Sequence, residues 1–298
     1  MNSFKNIVET IIVNSYAKVN FFLNVIDTYK NSYHKIKSVF GEINFSDIIT
    51  AKKNFSDNEI RVFDKSNTLP KDNLLVRAAN KFIENIKKVP FGVDFYLKKN
   101  IPIGGGLGGG SSNAGSVLKI LNWWWSTNFK EDKLEKIAAE IGSDVPFFIK
   151  GGIQTVFGVG NITKRIKIKN KIDIPMILIV PEIKISTPDA YKMLDEAMLV
   201  GETKKEAMMF KNIVNGFIDG DIKLIAHNIY NKFESVIFKK YPEFNNIKED
   251  IINSGAIQSF MSGSGSTMVG IYESFLHLNK GYYYLKEKGY NLFIAKTI

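Results

Sequence analysis

Six glycines, one leucine and two serines crowd into Pro102-Ile103-Gly104-Gly105-Gly106-Leu107-Gly108-Gly109-Gly110-Ser111-Ser112. Glycine lets backbone N–H groups turn toward a ligand with no Cβ in the way. A helix starting at the serines would aim its unpaired N–H groups and the positive end of its dipole into the same space. That combination cradles an anion, and a phosphate is its usual guest. A flexible glycine linker would not be framed so closely by apolar segments.

Transferring a phosphoryl group needs more than a cradle. It also needs charge stabilisation and a group that positions or deprotonates the acceptor. Asp144 sits in the tight turn Gly142-Ser143-Asp144-Val145-Pro146, followed by Phe147 and Phe148. There it can serve as a shielded general base, or simply cap the helical turn that Pro146 begins. Lys18 opens the apolar run Val19–Val25. It is either a surface lysine or the partner of a carboxylate, neutralising charge as it develops. Tyr33 and His34 form a pair that can stack on a base and bond its edge, or pack at a strand edge. Tyr191 is an isolated aromatic of the same kind. Ser262-Gly263-Ser264-Gly265-Ser266-Thr267 is either a plain hairpin turn or a second glycine loop.

Periodicity supplies the elements that must hold these residues. Val93, Phe95 and Leu97 alternate with polar neighbours as in a half-buried strand, and Ala114, Val117, Leu118 and Leu121 recur at helical spacing. The order is strand, glycine loop, helix. Further strands are expected at 11–13, 19–25, 36–40, 48–50, 60–63, 153–157, 174–180, 257–261, 268–272 and 290–295. Helices are expected after an Asp72 cap, over 131–140, after a Thr187 cap with Pro188 at the first helical position, over 221–238 and over 275–288. Trp123-Trp124-Trp125 ends a helix and is expected to serve packing and an interface. The lysine-rich stretch 161–173 divides the chain into 1–165 and 166–298, and there is no internal repeat.

The chain has 298 residues and formal net charge +10, enough for two closely packed domains. Its lysines are scattered, and only Arg61, Arg77 and Arg165 could make bidentate contacts to bases, which disfavours a nucleic-acid surface. The absence of cysteine excludes disulfides and thiolate chemistry and fits a cytoplasmic location. Glu9 interrupts the apolar run in Met1–Tyr16, which does not resemble a signal peptide. The longest apolar run, Ile174–Pro181, is too short to span a bilayer.

Among phosphate loops, the P-loop is excluded because Ser111-Ser112 stands where Gly-Lys-Ser/Thr is required. A Rossmann match at Gly104, Gly106 and Gly109 is what any glycine run contains. The ribose carboxylate expected roughly 20 residues on would fall in Asn128–Asp132, which opens a helix. The third pattern, Pro-x-Gly-x-Gly-Leu-Gly-x-Gly-Ser-Ser, resembles the nucleotide loop of the GHMP small-molecule kinases. Ala17-Lys18-Val19-Asn20, Tyr33-His34, Gly142–Phe148 and Ser262–Thr267 extend the resemblance nearly end to end, toward a member that acts on a cytidine diphosphate-linked methylerythritol.

The resemblance implies an α+β, two-domain fold. An N-terminal domain like domain 2 of ribosomal protein S5 would precede a ferredoxin-like C-terminal domain, with the active site in the cleft between them. It implies ATP with Mg²⁺, and Pro102, Ile103, Gly104, Gly105, Gly106, Leu107, Gly108, Gly109, Gly110, Ser111 and Ser112 at its phosphates. Asp144 would be the base and Lys18 its charged partner. Asn20 and Thr187 would hold substrate, Tyr33 and Tyr191 would sandwich the cytosine, and His34 would bond its edge. Ser262, Gly263, Ser264 and Gly265 would form the second glycine loop. No metal ligand is assigned, and a monomer or weak homodimer is expected, with no nucleic-acid or membrane partner. The chain departs from the family pattern at Tyr16 (usually proline), at Lys30-Asn31-Ser32 (usually Arg-x-Asp-Gly) and at Asn113 (usually aspartate). A homoserine- or mevalonate-type kinase, a non-catalytic nucleotide-binding protein and an RNA-binding module are the competing readings.

Overall fold

A computed structural model describes residues 8–30, 33–64, 69–70 and 72–298. Met1–Ile7 of the N-terminal segment, and Asn31 and Ser32 of the departure before Tyr33, lie outside the described residues. The chain forms two compact units that are not contiguous in sequence. One comprises residues up to 17, 46–103 and 108–150, and the other 18–45, 104–107 and 151–298.

The first unit takes the start of β1 (Thr10–Thr28) and the end of β2 (His34–Asn54), then β3 (Ile60–Asp64), α1 (Leu74–Ile83), β4 (Gly92–Lys98), α2 (Gly109–Trp124), α3 (Glu131–Ile141) and α4 (Val145–Lys150). β4 is central, antiparallel to β2 from Ile48↔Lys98 to Asn54↔Gly92 and parallel to β3. Val93, Phe95 and Leu97 face a core closed by Leu75, Phe82, Val117, Leu121, Trp124 and Trp125. The tryptophan run therefore packs as expected: Trp125 meets Phe82 with ring centroids 5.8 Å apart, and only Trp123 is substantially exposed.

The second unit holds the rest of β1 and β2, then β5 (Ile153–Gly158), β6 (Ile162–Arg165), β7 (Pro175–Ile179), α5 (Thr187–Glu196), α6 (Lys204–Asp219), α7 (Ile222–His227), β8 (Tyr230–Asn231), α8 (Glu234–Lys240), α9 (Glu243–Asn253), β9 (Gln258–Met261), β10 (Met268–Ile271), α10 (Phe275–Glu287) and β11 (Leu292–Lys296). β5 pairs antiparallel with both β2 and β6, and β8 pairs parallel with β1. Four strands make an antiparallel sheet in the order β11-β7-β10-β9. With α5–α9 after β7 and α10 after β10, this is the split βαβ arrangement of a ferredoxin-like layer. Among the described residues no helix is long and apolar enough to cross a membrane.

Several expected boundaries are corrected. The strands at 11–13 and 19–25 are one strand, because the polar residues between them are satisfied: buried Ser15 bonds the Ser112 hydroxyl at 2.7 Å. The strands at 36–40 and 48–50 likewise merge. Asn73, not Asp72, caps α1, its side chain accepting from the N–H groups of Leu75 and Val76. Ser186, not Thr187, caps α5 and accepts from Asp189 N–H, so Pro188 is the second helical residue. The helix expected over 221–238 is broken into α7, β8 and α8. There Asn231 Nδ2 donates to Met261 O at 2.6 Å and to Gly263 O at 2.8 Å, while β8 pairs Tyr230 and Asn231 with Phe22 and Leu23. A helix through this point would forgo those bonds. β6, α6 and α9 are not among the expected elements, although Thr203 and Glu206 form a capping box at the start of α6.

Close helix packing gives a test. A methyl group on Gly115 of α2 would lie 2.9 Å from Phe148 Cβ in α4 and 3.4 Å from the Phe148 carbonyl carbon. Alanine's helix preference is worth up to about 1 kcal/mol, whereas overpacking against backbone costs about 1–3 kcal/mol. Gly115→Ala is therefore expected to lower the thermal midpoint by several degrees. A midpoint equal to that of wild type would show that α4 yields freely.

Candidate active site

The glycine loop is built from alternating left-handed residues. Gly104, Gly106 and Gly108 have φ of 76°, 75° and 69°, a conformation L side chains rarely adopt. Gly108 is the N-cap of α2, and no side chain caps that helix. The helix thus starts at Gly109, two residues before the serines. Its first N–H groups meet no capping side chain, the condition an anion site requires. Ser111 is half-buried, whereas Ser112 is buried and committed to Ser15. Pro102 is half-buried and Ile103 is exposed.

Within the second unit, residues 104–107 are stitched to the elements around them. Leu107 O accepts from Lys18 N–H at 3.0 Å, and Gly105 O accepts from Thr267 N–H at 3.3 Å. Gly106 O accepts from Ser262 Oγ at 3.1 Å. A Cβ on Gly106 would collide with Ser262 O, so close approach as well as φ requires glycine there. The segment 262–267 is therefore more than a hairpin turn: it is bonded directly to the first glycine loop. Thr187 joins it, its hydroxyl lying 2.9 Å from Ser264 Oγ.

Lys18 is 3% exposed, which excludes the surface-lysine reading. Its ammonium donates to Asn20 Oδ1 at 2.6 Å and lies 4.5 Å from the Phe40 ring centroid. Buried Asn20 donates in turn to Ser38 Oγ at 3.4 Å. Lys18, Asn20, Gly105–Leu107, Ser262–Gly265 and Thr187 thus belong to one hydrogen-bonded neighbourhood. Asp144 belongs to the first unit. It is half-buried at the position before α4, beside the buried side chains of Val145, Phe147 and Phe148.

Elsewhere in the second unit, His34 and Tyr191 stack with centroids 4.3 Å apart and planes 19° from parallel. His34 Nε2 lies 2.8 Å from Asp195 Oδ1; the carboxylate only accepts, so this nitrogen carries the proton. Phe233 braces Tyr191 edge-on at 5.0 Å. Tyr33 is 59% exposed, and the stacked partner of Tyr191 is His34. Asp195 and Phe233 carry no motif that sequence inspection could single out.

Two family models match the chain, GHMP kinases N terminal domain over residues 73–152 and GHMP kinases C terminal over 209–291. The chain belongs to the GHMP kinase family. Over nearly its whole length it is similar to 4-diphosphocytidyl-2-C-methyl-D-erythritol kinases. The one from Clostridium beijerinckii is 34% identical over 289 residues, covering 96% of this chain and 99% of the relative. The one from Thermoanaerobacter pseudethanolicus is 34% identical over 288 residues, 96% of each chain. A crystal structure of 4-(cytidine 5'-diphospho)-2C-methyl-D-erythritol kinase superposes with a TM-score of 0.80 at 25% identity, covering 96% of this chain and 98% of that one. Homoserine kinase from Cytophaga hutchinsonii shares the fold, with a TM-score of 0.75 at 17% identity over 98% and 95% of the two chains.

Behind the second glycine loop lies a buried charged cluster that no sequence motif announces as a whole. Glu206 accepts from Tyr230 OH at 2.5 Å, Lys232 Nζ at 3.0 Å, Thr203 N–H at 2.7 Å and Asn24 Nδ2 at 3.3 Å. Burial pushes its pKa up, but the bonds from Tyr230, Thr203 and Lys232 outweigh burial and hold it at about 2. Burial and the bond to Glu206 push the Tyr230 hydroxyl up. The one signal in the sequence is the Thr203-x-x-Glu206 capping box. Because the folded-state pKa is depressed, the stabilisation is present above about pH 4.5 and is lost as pH falls toward 2. Glu206→Gln leaves Lys232 buried without its counter-charge and is expected to cost roughly 3–5 kcal/mol at pH 7. In urea titrations the gap to wild type should close as pH falls from 5 to 2; a gap independent of pH would contradict the charge assignment.

Proposed function

We propose that this chain transfers the γ-phosphate of ATP to the 2-hydroxyl of 4-diphosphocytidyl-2-C-methyl-D-erythritol, a step of the non-mevalonate (methylerythritol phosphate) isoprenoid precursor pathway. The observation that carries the reading is the seating of Lys18 and Asn20 against a doubly glycine-lined loop, with Lys18 N–H bonded to Leu107 O at 3.0 Å. The substrate assignment draws on relatives that bear this kinase's name across 96% of the chain. The linear division into 1–165 and 166–298 follows the family-model matches, which fall one in each; the two compact units differ from it, because 18–45 and 104–107 join the unit that holds 151–298.

In this reading the 2-oxygen bonds to the γ-phosphorus while the bond to the β,γ-bridging oxygen breaks. Asp144 receives the hydroxyl proton, and Lys18 offsets the developing negative charge. Backbone N–H groups of residues 102–112 hold the phosphates, with the segment 262–265 closing on them. Asn20 and Thr187 orient the acceptor, while Tyr33, His34 and Tyr191 take the cytosine. Among the described residues no three metal-ligating side chains cluster. Mg²⁺, arriving with the nucleotide, would supply charge neutralisation at the phosphates, and no residue of this chain is assigned to hold it. The reading carries with it a cytoplasmic location, where ATP is supplied, and action as a monomer or weak homodimer.

A coupled ADP-release assay with the cytidylated acceptor tests the reaction. Turnover with homoserine or mevalonate in its place would move the assignment within the family, and ATP binding without any transfer would remove it. Asp144→Asn should lower kcat by about 10²–10⁴-fold while binding of an ATP analogue persists; near-normal turnover would take the base role away from Asp144. Tyr191→Ala should raise KM for the cytidylated acceptor by about tenfold or more, since a base stack is worth about 1–3 kcal/mol, with KM for ATP unchanged. An unchanged acceptor KM would place the cytosine elsewhere.

A further inference from the structure

Beneath the glycine loop, one fully buried carboxylate does what no backbone partner can. Asp47 lies in β2 one residue before the first β2–β4 pair, Ile48↔Lys98, so the chain leaves the sheet just beside it. The next two N–H groups past Lys99 have no strand to pair with. Asp47 Oδ1 accepts both, from Asn100 at 2.7 Å and from Ile101 at 2.8 Å. Its other oxygen accepts from Lys99 Nζ at 2.6 Å and from Asn113 Nδ2 at 3.0 Å. Lys99 Nζ also donates to Ile101 O at 2.7 Å.

These contacts join the two ends of the loop. Lys99–Ile101 lead into it, and Asn113 lies in the first turns of α2, which leaves it. The two ends meet closely at Gly109, where a Cβ would lie 2.9 Å from both Lys99 Nζ and Ile101 Cγ2. Asp47 and Asn113 are each 0% exposed, so neither finds water in place of the other. The amide orientation of Asn113 is forced, because a carboxylate can only accept; its Oδ1 is left buried without a partner. An aspartate at 113, the residue expected from the family pattern, would set two carboxylates against each other about 3 Å apart.

We propose that Asp47, together with Asn113 and Lys99, is a positioning residue for nucleotide binding. It clamps the base of the 102–108 segment so that its amides and the start of α2 are already placed when a triphosphate arrives. This rests on the phosphate-loop reading above. Preorganised donors bind without the cost of being ordered. The clamp therefore acts on nucleotide affinity and leaves affinity for the acceptor alone.

The test compares wild type, Asp47→Asn, Asn113→Asp and the double exchange. Calorimetry with β,γ-imido-ATP gives nucleotide affinity, steady-state assays give KM for ATP and for the cytidylated acceptor, and thermal melts report folding. Each single variant should weaken the analogue by about tenfold or more, with acceptor KM within about threefold of wild type. In the double exchange, the amide introduced at position 47 can still accept the two N–H groups through its oxygen. Its nitrogen can donate to the carboxylate introduced at position 113, at unchanged net charge. The introduced nitrogen also faces Lys99 Nζ, another donor, so recovery is partial, but the loss in the double exchange should be clearly smaller than the sum of the single losses, the signature of a coupled pair. A folded single variant with wild-type analogue affinity would overturn the proposal, as would losses that add in the double exchange or that fall equally on both substrates. If Asp47→Asn does not fold, Asn113→Asp decides alone. Wild-type protein that binds the analogue but fails to phosphorylate the acceptor would defeat the assigned reaction and leave the clamp test standing.

Discussion

Every backbone amide offered to a phosphate is an amide withheld from helix and sheet. A loop that binds triphosphate must therefore be held by something other than the hydrogen bonds that hold the rest of the chain. Here side chains and turns at its margins take that burden. Asp47 receives the two N–H groups stranded where β4 ends. Gly108 enters α2 in the left-handed conformation without capping it. Carbonyls of Gly105, Gly106 and Leu107 are committed to Thr267, Ser262 and Lys18. Three successive carbonyls of the loop are thereby tied down.

The same constraint explains why charges are buried in this protein. A buried ion pair contributes little net stability once desolvation is counted, and removing one partner is severe. Asp47–Lys99 and Glu206–Lys232 each sit where chain segments end without a backbone partner. Glu206 gathers the start of α6 through Thr203, β1 through Asn24, and the residues around β8 through Tyr230 and Lys232. Next to these, Asn231 donates both amide hydrogens to carbonyls at the second glycine loop. These buried polar groups tie together segments that are distant in sequence.

The aromatic pair His34–Tyr191 is organised by surfaces. His34 has its plane set by Tyr191 and its proton by Asp195. Phe233 holds Tyr191 from the edge, so the stacked pair is braced from a third position far away in sequence. Phe233 directly follows Lys232 and immediately precedes α8. The break in what would otherwise be one long helix therefore delivers Asn231, Lys232 and Phe233 to three different tasks.

Local chemistry makes the glycine loop, its flanking strand and helix, the core face of β4 and the packing of the tryptophan run legible from sequence alone. In each, a residue type is dictated by its own backbone or by neighbours a few positions away: glycine by positive φ, alternating apolar residues by the pleat, apolar residues at helical spacing by the helix face. What sequence does not disclose is every feature whose partner is remote. Helical spacing over 221–238 is real, yet pairing with β1 and the bonds of Asn231 across to 261–263 outweigh it. Asp47 looks like one more polar residue in a strand, because its four donors come from residues 99–101 and 113. The caps of α1 and α5 each fall one residue from the expected position, where neighbouring residues compete for the same role and only the path of the chain chooses between them. Periodicity records what one segment prefers; which preference survives is decided by the groups that folding brings from elsewhere.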